Sequence, residues 1–196
     1  MIDLNELENS KLIAKRNYDA FVVQFPQKLA KKEEKFFKNF KKINGDSIKK
    51  LLKIYSFMDE LYEFVKRFTP CNKGCSHCCY YPVSISEIEI QYVEKSLNIK
   101  RIEMVPLALP KTRCPFLIGE SCSIYQARPF MCRRHVTFDR SSKWCHTVVS
   151  DESEMLMLRF SEVDKAYDHI VREGGIQNIF DIREVFTGQA HITSTR

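Results

Sequence analysis

All eight cysteines of this chain fall between Cys71 and Cys145, and the other 121 of its 196 residues have none. They are Cys71, Cys75, Cys78, Cys79, Cys114, Cys122, Cys132 and Cys145. A core that used cysteine only as a small apolar residue would scatter it along the chain. Clustering on this scale points to disulfides or to metal. Disulfides belong to oxidising compartments. The opening residues Met1 to Glu6 are acidic and polar, unlike the basic-then-apolar pattern of a secretory signal. The chain is therefore expected to be cytoplasmic, with its thiols reduced and available to a metal. Apolar residues make up 44% of the sequence, 14 of them Phe, so a core can form without covalent staples.

The spacing favours a sulfur-rich site. Cys71-x3-Cys75-x2-Cys78-Cys79 brings four thiols into nine residues, so one loop can deliver several sulfurs at little closure cost. Metals that accept all-sulfur shells are zinc, iron in clusters and copper(I), whereas magnesium and calcium want oxygen. The adjacent pair Cys78-Cys79 suits a multinuclear cluster, or two sites sharing one loop. Eight thiols are enough for two four-sulfur sites, in which the later four cysteines complete what the first four begin. His77, His135 and His146 lie in or beside the motifs and are either nitrogen ligands or donors to a thiolate. His169 and His191 receive no role. Lys73, Arg113, Arg133 and Arg134, with the backbone at Gly74, are the groups expected to offset thiolate charge. Arg128, before Pro129, reads as the brace of a turn, its guanidinium bonded to a carbonyl or carboxylate.

The flanks read as helices, so the fold expected is mainly α: helical N- and C-terminal regions around a loop-rich, metal-stabilised centre with a short β-hairpin. Tyr18, Phe21, Val22 and Phe25 recur at helical spacing until Pro26. Leu29, Phe36, Phe37, Phe40 and Ile43 continue the pattern to Asn44-Gly45, a helix stop. Asp46 then caps a helix with two adjacent stripes, Leu51/Tyr55/Met58/Tyr62/Val65 and Ile54/Phe57/Leu61/Phe64/Phe68. Thr69-Pro70 ends it. Ser86 to Glu89 has capping-box spacing before a helix near 87–98. Residues 105–113, with Pro106 and Pro110, read as extended loop, and a hairpin is expected around Gly119. Helices are expected at 151–172 and 176–187, separated by Gly174-Gly175. The regions expected are 1–69 (helical), 70–150 (cysteine cluster), 151–188 (C-terminal helices) and 189–196 (a frayed tail), forming one compact domain.

Net charge is +6, distributed as +5 over 1–70 (15 basic, 10 acidic), +5 over 71–150 (11 and 6) and −4 over 151–196 (5 and 9). Interspersed signs of this kind mark a solvated helical surface rather than a nucleic-acid groove, and neither Cys2His2 spacing nor a base-stacking aromatic pattern is present. No apolar run approaches a membrane span. The partners expected are a metal ion and a protein partner or substrate, with no membrane and no nucleic acid.

The ordered set of motifs resembles a known group. Cys71-x3-Cys75-x2-Cys78-Cys79 is followed by Cys114-Pro115-Phe116-Leu117. Then come Cys122-Ser123-Ile124-Tyr125-x2-Arg128-Pro129-x2-Cys132-Arg133 and, last, Cys145. This order resembles the YkgJ-type cysteine-cluster family, labelled CxxCxxCC and described as zinc- or iron-chelating. The resemblance spans about 75 residues, and its first gap is three residues where the label has two. It implies a chelating module that holds zinc or iron, as single ions or as an iron–sulfur (4Fe-4S) cluster, through Cys71, Cys75, Cys78, Cys79, Cys114, Cys122, Cys132 and Cys145. Flagellin lysine N-methylases carry a similar cysteine region in a longer protein. The competing expectation is therefore an iron–sulfur, S-adenosylmethionine-dependent methylase acting on protein lysines. The Cys71-x3-Cys75-x2-Cys78 spacing matches the radical S-adenosylmethionine motif. Against this, about 120 residues follow it, without repeated strand–helix units, and five further cysteines need a use. No glycine-rich loop of the Rossmann type is present.

Overall fold

The computed structural model describes residues 4–102, 112–146, 158–173 and 178–187. In chain order it contains α1 (Leu4–Gln24), α2 (Gln27–Glu34), α3 (Phe36–Phe40), α4 (Ser47–Val65), β1 (Ser84–Ser86) and α5 (Glu87–Leu97). There follow β2 (Leu117–Ile118), β3 (Ser121–Cys122), α6 (Phe130–Arg134), α7 (Ser161–Glu173), β4 (Ile179–Asp181) and α8 (Ile182–Phe186). The fold is mainly α, as the periodicity predicts. Two antiparallel strand pairs, β1 with β4 and β2 with β3, are the only sheets among the described residues.

The longest buried element is α4. Asp46 caps it, its carboxylate accepting from the Lys49 amide at 2.7 Å. Both predicted stripes are buried from Leu51 to Val65, with Phe68 half-buried just beyond the helix. Around them gather Phe21 of α1, Phe40 of α3, Phe130 of α6, and Val163, Ala166 and Ile170 of α7. Each side chain so buried contributes on the order of 1.5–3 kcal/mol. α1 is less amphipathic than its spacing implied. Phe21 is buried, but Val22 is 52% and Tyr18 41% exposed. Polar contacts also hold the helix in place: Asn17 Nδ2 donates to the Phe138 carbonyl at 2.7 Å, and Ser10 Oγ to buried Asp139.

A second core lies on the other side of α5. Ile88 faces the first core, whereas Ile90 and Val93 join Val83, Ile85, Phe116, Ile124, Ala127, Ile182, Val185 and Phe186. The expected capping box at Ser86 and Glu89 is present, and the helix ends on left-handed Asn98 (φ 52°).

Two C-terminal expectations need correction. Residues 158–160 are not helical, so α7 starts at Ser161 rather than 151; residues 151–157 lie outside the described residues. The helix expected over 176–187 is a strand followed by a short helix. Ile179, Phe180 and Asp181 pair with Ser86, Ile85 and Ser84, and a segment of three residues is read equally well by either period until such a partner settles it. Asp181 then caps α8 in a capping box with Glu184. The Pro106–Pro110 loop, the Gly174-Gly175 break and the tail also lie outside the described residues.

Candidate metal centre

Four separate segments bring the cysteines together. Cys71 and Cys75 lie in the loop after α4. Cys78 and Cys79 lie in the 3-10 turn His77–Tyr80. Cys114 precedes the β2–β3 hairpin, and Cys122 ends it opposite Leu117. Cys132 is on α6, and Cys145 closes the turn Ser142–Cys145. All eight thiols line one cavity of about 100 Å³. A single water needs on the order of 10–15 Å³ measured this way, so the space exceeds that of one small ion.

Local bonds hold these segments in place. The Cys114 amide donates to the Cys79 carbonyl at 2.8 Å, and Leu117 to the Cys114 carbonyl at 3.1 Å. Ser76 Oγ donates to Glu120 at 2.5 Å, tying the first cysteine loop to the hairpin tip. Tyr81 donates to the Cys145 carbonyl at 3.1 Å, and the Thr137 amide to Cys71 Sγ at 3.5 Å. The tip itself turns at Gly119 (φ 57°), the left-handed conformation that favours glycine.

The predicted roles of the basic residues change. Arg133, not Arg128, is the brace. Its guanidinium is 3% exposed and stacks on Tyr55 at 4.0 Å. It donates to the Arg128 carbonyl (3.1 Å), the Gln126 carbonyl (2.5 Å) and Asp59 (2.6 Å). Arg113 is spent on the carbonyls of Leu117 and Gly119. Arg134 is spent on Met131, the Leu158 carbonyl and Asp164. Lys73 is exposed. Of the other cations lining the cavity, Lys66 pairs with Glu63, which leaves Arg128, stacked 3.8 Å from the Tyr125 ring. Sequence reasoning missed this exchange because two guanidiniums five residues apart carry the same local signal.

Among the described residues, three buried side-chain polar atoms have no hydrogen-bond partner: Tyr62 Oη, Arg128 Nε and His135 Nε2. All three residues line the thiol cavity. Buried polar atoms are almost always paired, so three orphans on one cavity wall indicate a site built for a charged or polar guest. Tyr62 belongs to a core stripe of α4, and its hydroxyl carries no separate sequence signal. Of the predicted histidines, only His135 lines the cavity. His77 and His146 lie ring to ring at 5.5 Å outside its wall, and His169 pairs with Glu173 at 3.2 Å. His191 is outside the described residues.

Without a cation, six of the cavity thiols are held toward the protonated form. Burial pushes Cys71 up to about 11, and Cys114 and Cys145 up to about 12. Burial also raises Cys122 and Cys132. Cys78 rises well above the ordinary thiol value, first through its hydrogen bond with Cys79 and then through burial. Arg128 pulls Cys78, Cys122 and Cys132 the other way. Burial lowers His135, which favours neutral imidazole. A bound metal ion would reverse the thiol shifts, since its charge stabilises thiolate directly. As the side chains stand, no three Cys, His, Asp or Glu groups among the described residues are gathered closely enough to hold an ion. Thiols would have to turn into the cavity to close on one. The donor set, the shared cavity and the orphan polar atoms fit zinc or iron.

Comparison with known families agrees with the motif. Residues 70–148 match the family model CxxCxxCC, described as a "putative zinc- or iron-chelating domain". The resemblance expected from the cysteine pattern thus holds over that segment. No curated protein and no solved structure gives a significant match. No helix among the described residues is long and apolar enough to cross a membrane.

Proposed function

With residues 70–148 taken as a CxxCxxCC chelating domain, we propose that this protein binds zinc or iron through thiolates drawn from Cys71, Cys75, Cys78, Cys79, Cys114, Cys122, Cys132 and Cys145. The observation that carries the proposal is their convergence. Eight thiols from four segments line one cavity, together with the three orphaned polar atoms. A chain that used cysteine only as a small hydrophobe would have no reason to add a buried Arg128 Nε and Tyr62 hydroxyl to the same wall. Bound metal supplies the positive charge that holds the thiolates ionised. Arg128 then offsets part of the excess negative charge, while Tyr62 and His135 offer hydrogen bonds to sulfur.

The role is metal binding, with the flanking helices as the scaffold. A 4Fe-4S cluster is the iron form that an all-thiol wall would suit. Methyl transfer from S-adenosylmethionine draws no specific support from the fold or the site.

Anaerobic purification followed by elemental analysis, acid-labile sulfide determination and a visible spectrum tests the proposal. Stoichiometric zinc in a colourless protein, or iron with matching sulfide in a brown one, supports it and selects the metal. Protein that takes up neither metal when reduced, refolded and loaded would refute it.

A further inference from the structure

Glu6, Ser10, Asn17 and Phe21 follow one another at steps of four, seven and four, which places them on one face of α1. Each of them meets the far end of the cysteine region. Glu6 accepts from Lys143 Nζ at 2.6 Å. Ser10 Oγ donates to Asp139, and Asn17 Nδ2 to the Phe138 carbonyl at 2.7 Å. The Phe21 ring lies 5.5 Å from Phe138, with Tyr18 edge-on to the same ring at 5.3 Å. The helix and the stretch 138–143 therefore run past each other in opposite directions, and that stretch leads into Cys145.

Phe21 also reaches the near end. Its ring is 5.9 Å from Phe68, three residues before Cys71. Thr137, next to Phe138, donates its amide to Cys71 Sγ at 3.5 Å. α1 thus touches both ends of the segment that carries the eight thiols, although it lies outside the matched residues 70–148. Its hold is polar as much as apolar. Asp139 is 6% exposed, its carboxylate shared between Ser10 and the Arg140 amide, whereas Leu12, Val22 and Val23 of α1 face solvent. A helix with so little buried apolar surface depends on its partner stretch being in place.

We propose that α1 is part of the metal site. Ser10 and Asn17 are positioning residues that hold the stretch 138–145, and through it Cys145 and Cys71, so that docking of α1 and occupancy of the cavity strengthen each other. This rests on the chelating function proposed above and deepens it. Phe138 anchors the start of the stretch in the first core, but Cys145 joins neither core. Its place depends on bonds along its own stretch, among them those to α1 and the Tyr81 hydroxyl on its carbonyl. The coupling is reciprocal: if the ion tightens the docking of α1, loss of docking weakens the ion by the same factor.

Cobalt(II) is the probe, added anaerobically to reduced, metal-free full-length protein. Hydrogen exchange with and without it should show α1, over residues 6–17, protected by the ion more than α4 is. The double variant Ser10→Ala/Asn17→Ala should bind cobalt about 10-fold or more weakly in competition with a chromophoric chelator. Its thiolate-to-cobalt charge-transfer band should also change, which a loss of stability alone would not cause. Asp46→Ala uncaps α4 but touches none of these contacts, so it should lower stability and leave affinity and spectrum as they are. Equal protection of α1 and α4 would overturn the proposal, as would unaltered affinity and spectrum in the double variant. Should that variant fail to fold, the exchange comparison in the unaltered protein decides alone. These outcomes leave the chelating function standing, whereas failure of the unaltered protein to bind any cobalt, zinc or iron removes both.

Discussion

Glu89 is 1% exposed, and its carboxylate accepts five hydrogen bonds. Tyr55 of α4 (2.7 Å) and the Phe130 amide (2.6 Å) reach Oε1. The Ser86 amide and hydroxyl (2.9 Å each) and Tyr167 of α7 (2.6 Å) reach Oε2. Burial first, and then Glu89, push both tyrosines above their ordinary range, so both are protonated donors. Glu89→Gln keeps the size but replaces one oxygen with a donor NH2. The hydroxyls can rotate away, but a backbone N–H cannot. Either Ser86 or Phe130 is therefore left facing a donor, at about 1–3 kcal/mol for the unsatisfied group. The remaining bonds lose their charged acceptor, which costs about 1–2 kcal/mol more. The expected loss is about 2–5 kcal/mol, or a Tm lower by about 4–20 °C for a chain of this length. Urea unfolding of metal-loaded protein, followed by circular dichroism, reads it. A loss under about 1 kcal/mol with an unchanged m-value would show that the five bonds are not the buried node described here.

Three further outcomes follow from the same structure. Arg133→Lys keeps the charge beside Asp59 but cannot reach both the Gln126 and Arg128 carbonyls. It should cost about 2–4 kcal/mol in chemical denaturation, and near-neutrality would contradict its role as the brace. Arg101 bonds to Glu87 and Glu94 and lowers both carboxyls from 4.5. Their folded-state values are depressed, so the stability they contribute is present above about pH 4.5 and lost as pH falls below it. Arg101→Met should flatten that acid limb, and parallel pH–stability curves for the two proteins would argue against the pairing. Because Cys71, Cys78, Cys114, Cys122, Cys132 and Cys145 are all raised above the ordinary thiol range, loading zinc in weak buffer should release about one proton for each of them that is engaged. A pH-stat titration releasing two or fewer would contradict thiolate ligation.

Much of this architecture is legible in the sequence because its signals are local. Asp46 as a cap, the two stripes of α4, the Ser86–Glu89 box and the hairpin at Gly119 each rest on spacing within a few residues, and each recurs in the fold. What escaped depends on distant partners. β4 is a strand only because Ser84–Ser86, about 95 residues earlier, offers it an edge. Glu89 carries a capping signal that gives no hint of Tyr55, Tyr167 or the Phe130 amide. Arg128 and Arg133 exchange roles because Asp59 and Tyr55 of α4 take the second guanidinium. The eight cysteines mark a site in one dimension, but which core Cys71, Cys114, Cys122 and Cys132 pack against is set by distant contacts.

α6 connects these observations. Its first amide, at Phe130, donates to Glu89, and Phe130 stacks on Tyr167 at 4.1 Å. Two residues on, Cys132 packs against the second core at the thiol cavity, and Arg133 then fixes the Gln126–Arg128 loop from below. A helix of five residues has little stability of its own. Its position is set by the buried carboxylate at one end and by the thiol cavity at the other. The two cores meet along this line, with α5 contributing Ile88 to one and Ile90 and Val93 to the other. Metal bound in the cavity would thus join two separately packed halves as well as fill a site. Its binding free energy would then add to the stability of both cores through the short segment between them, as expected when a site exists only in the folded chain.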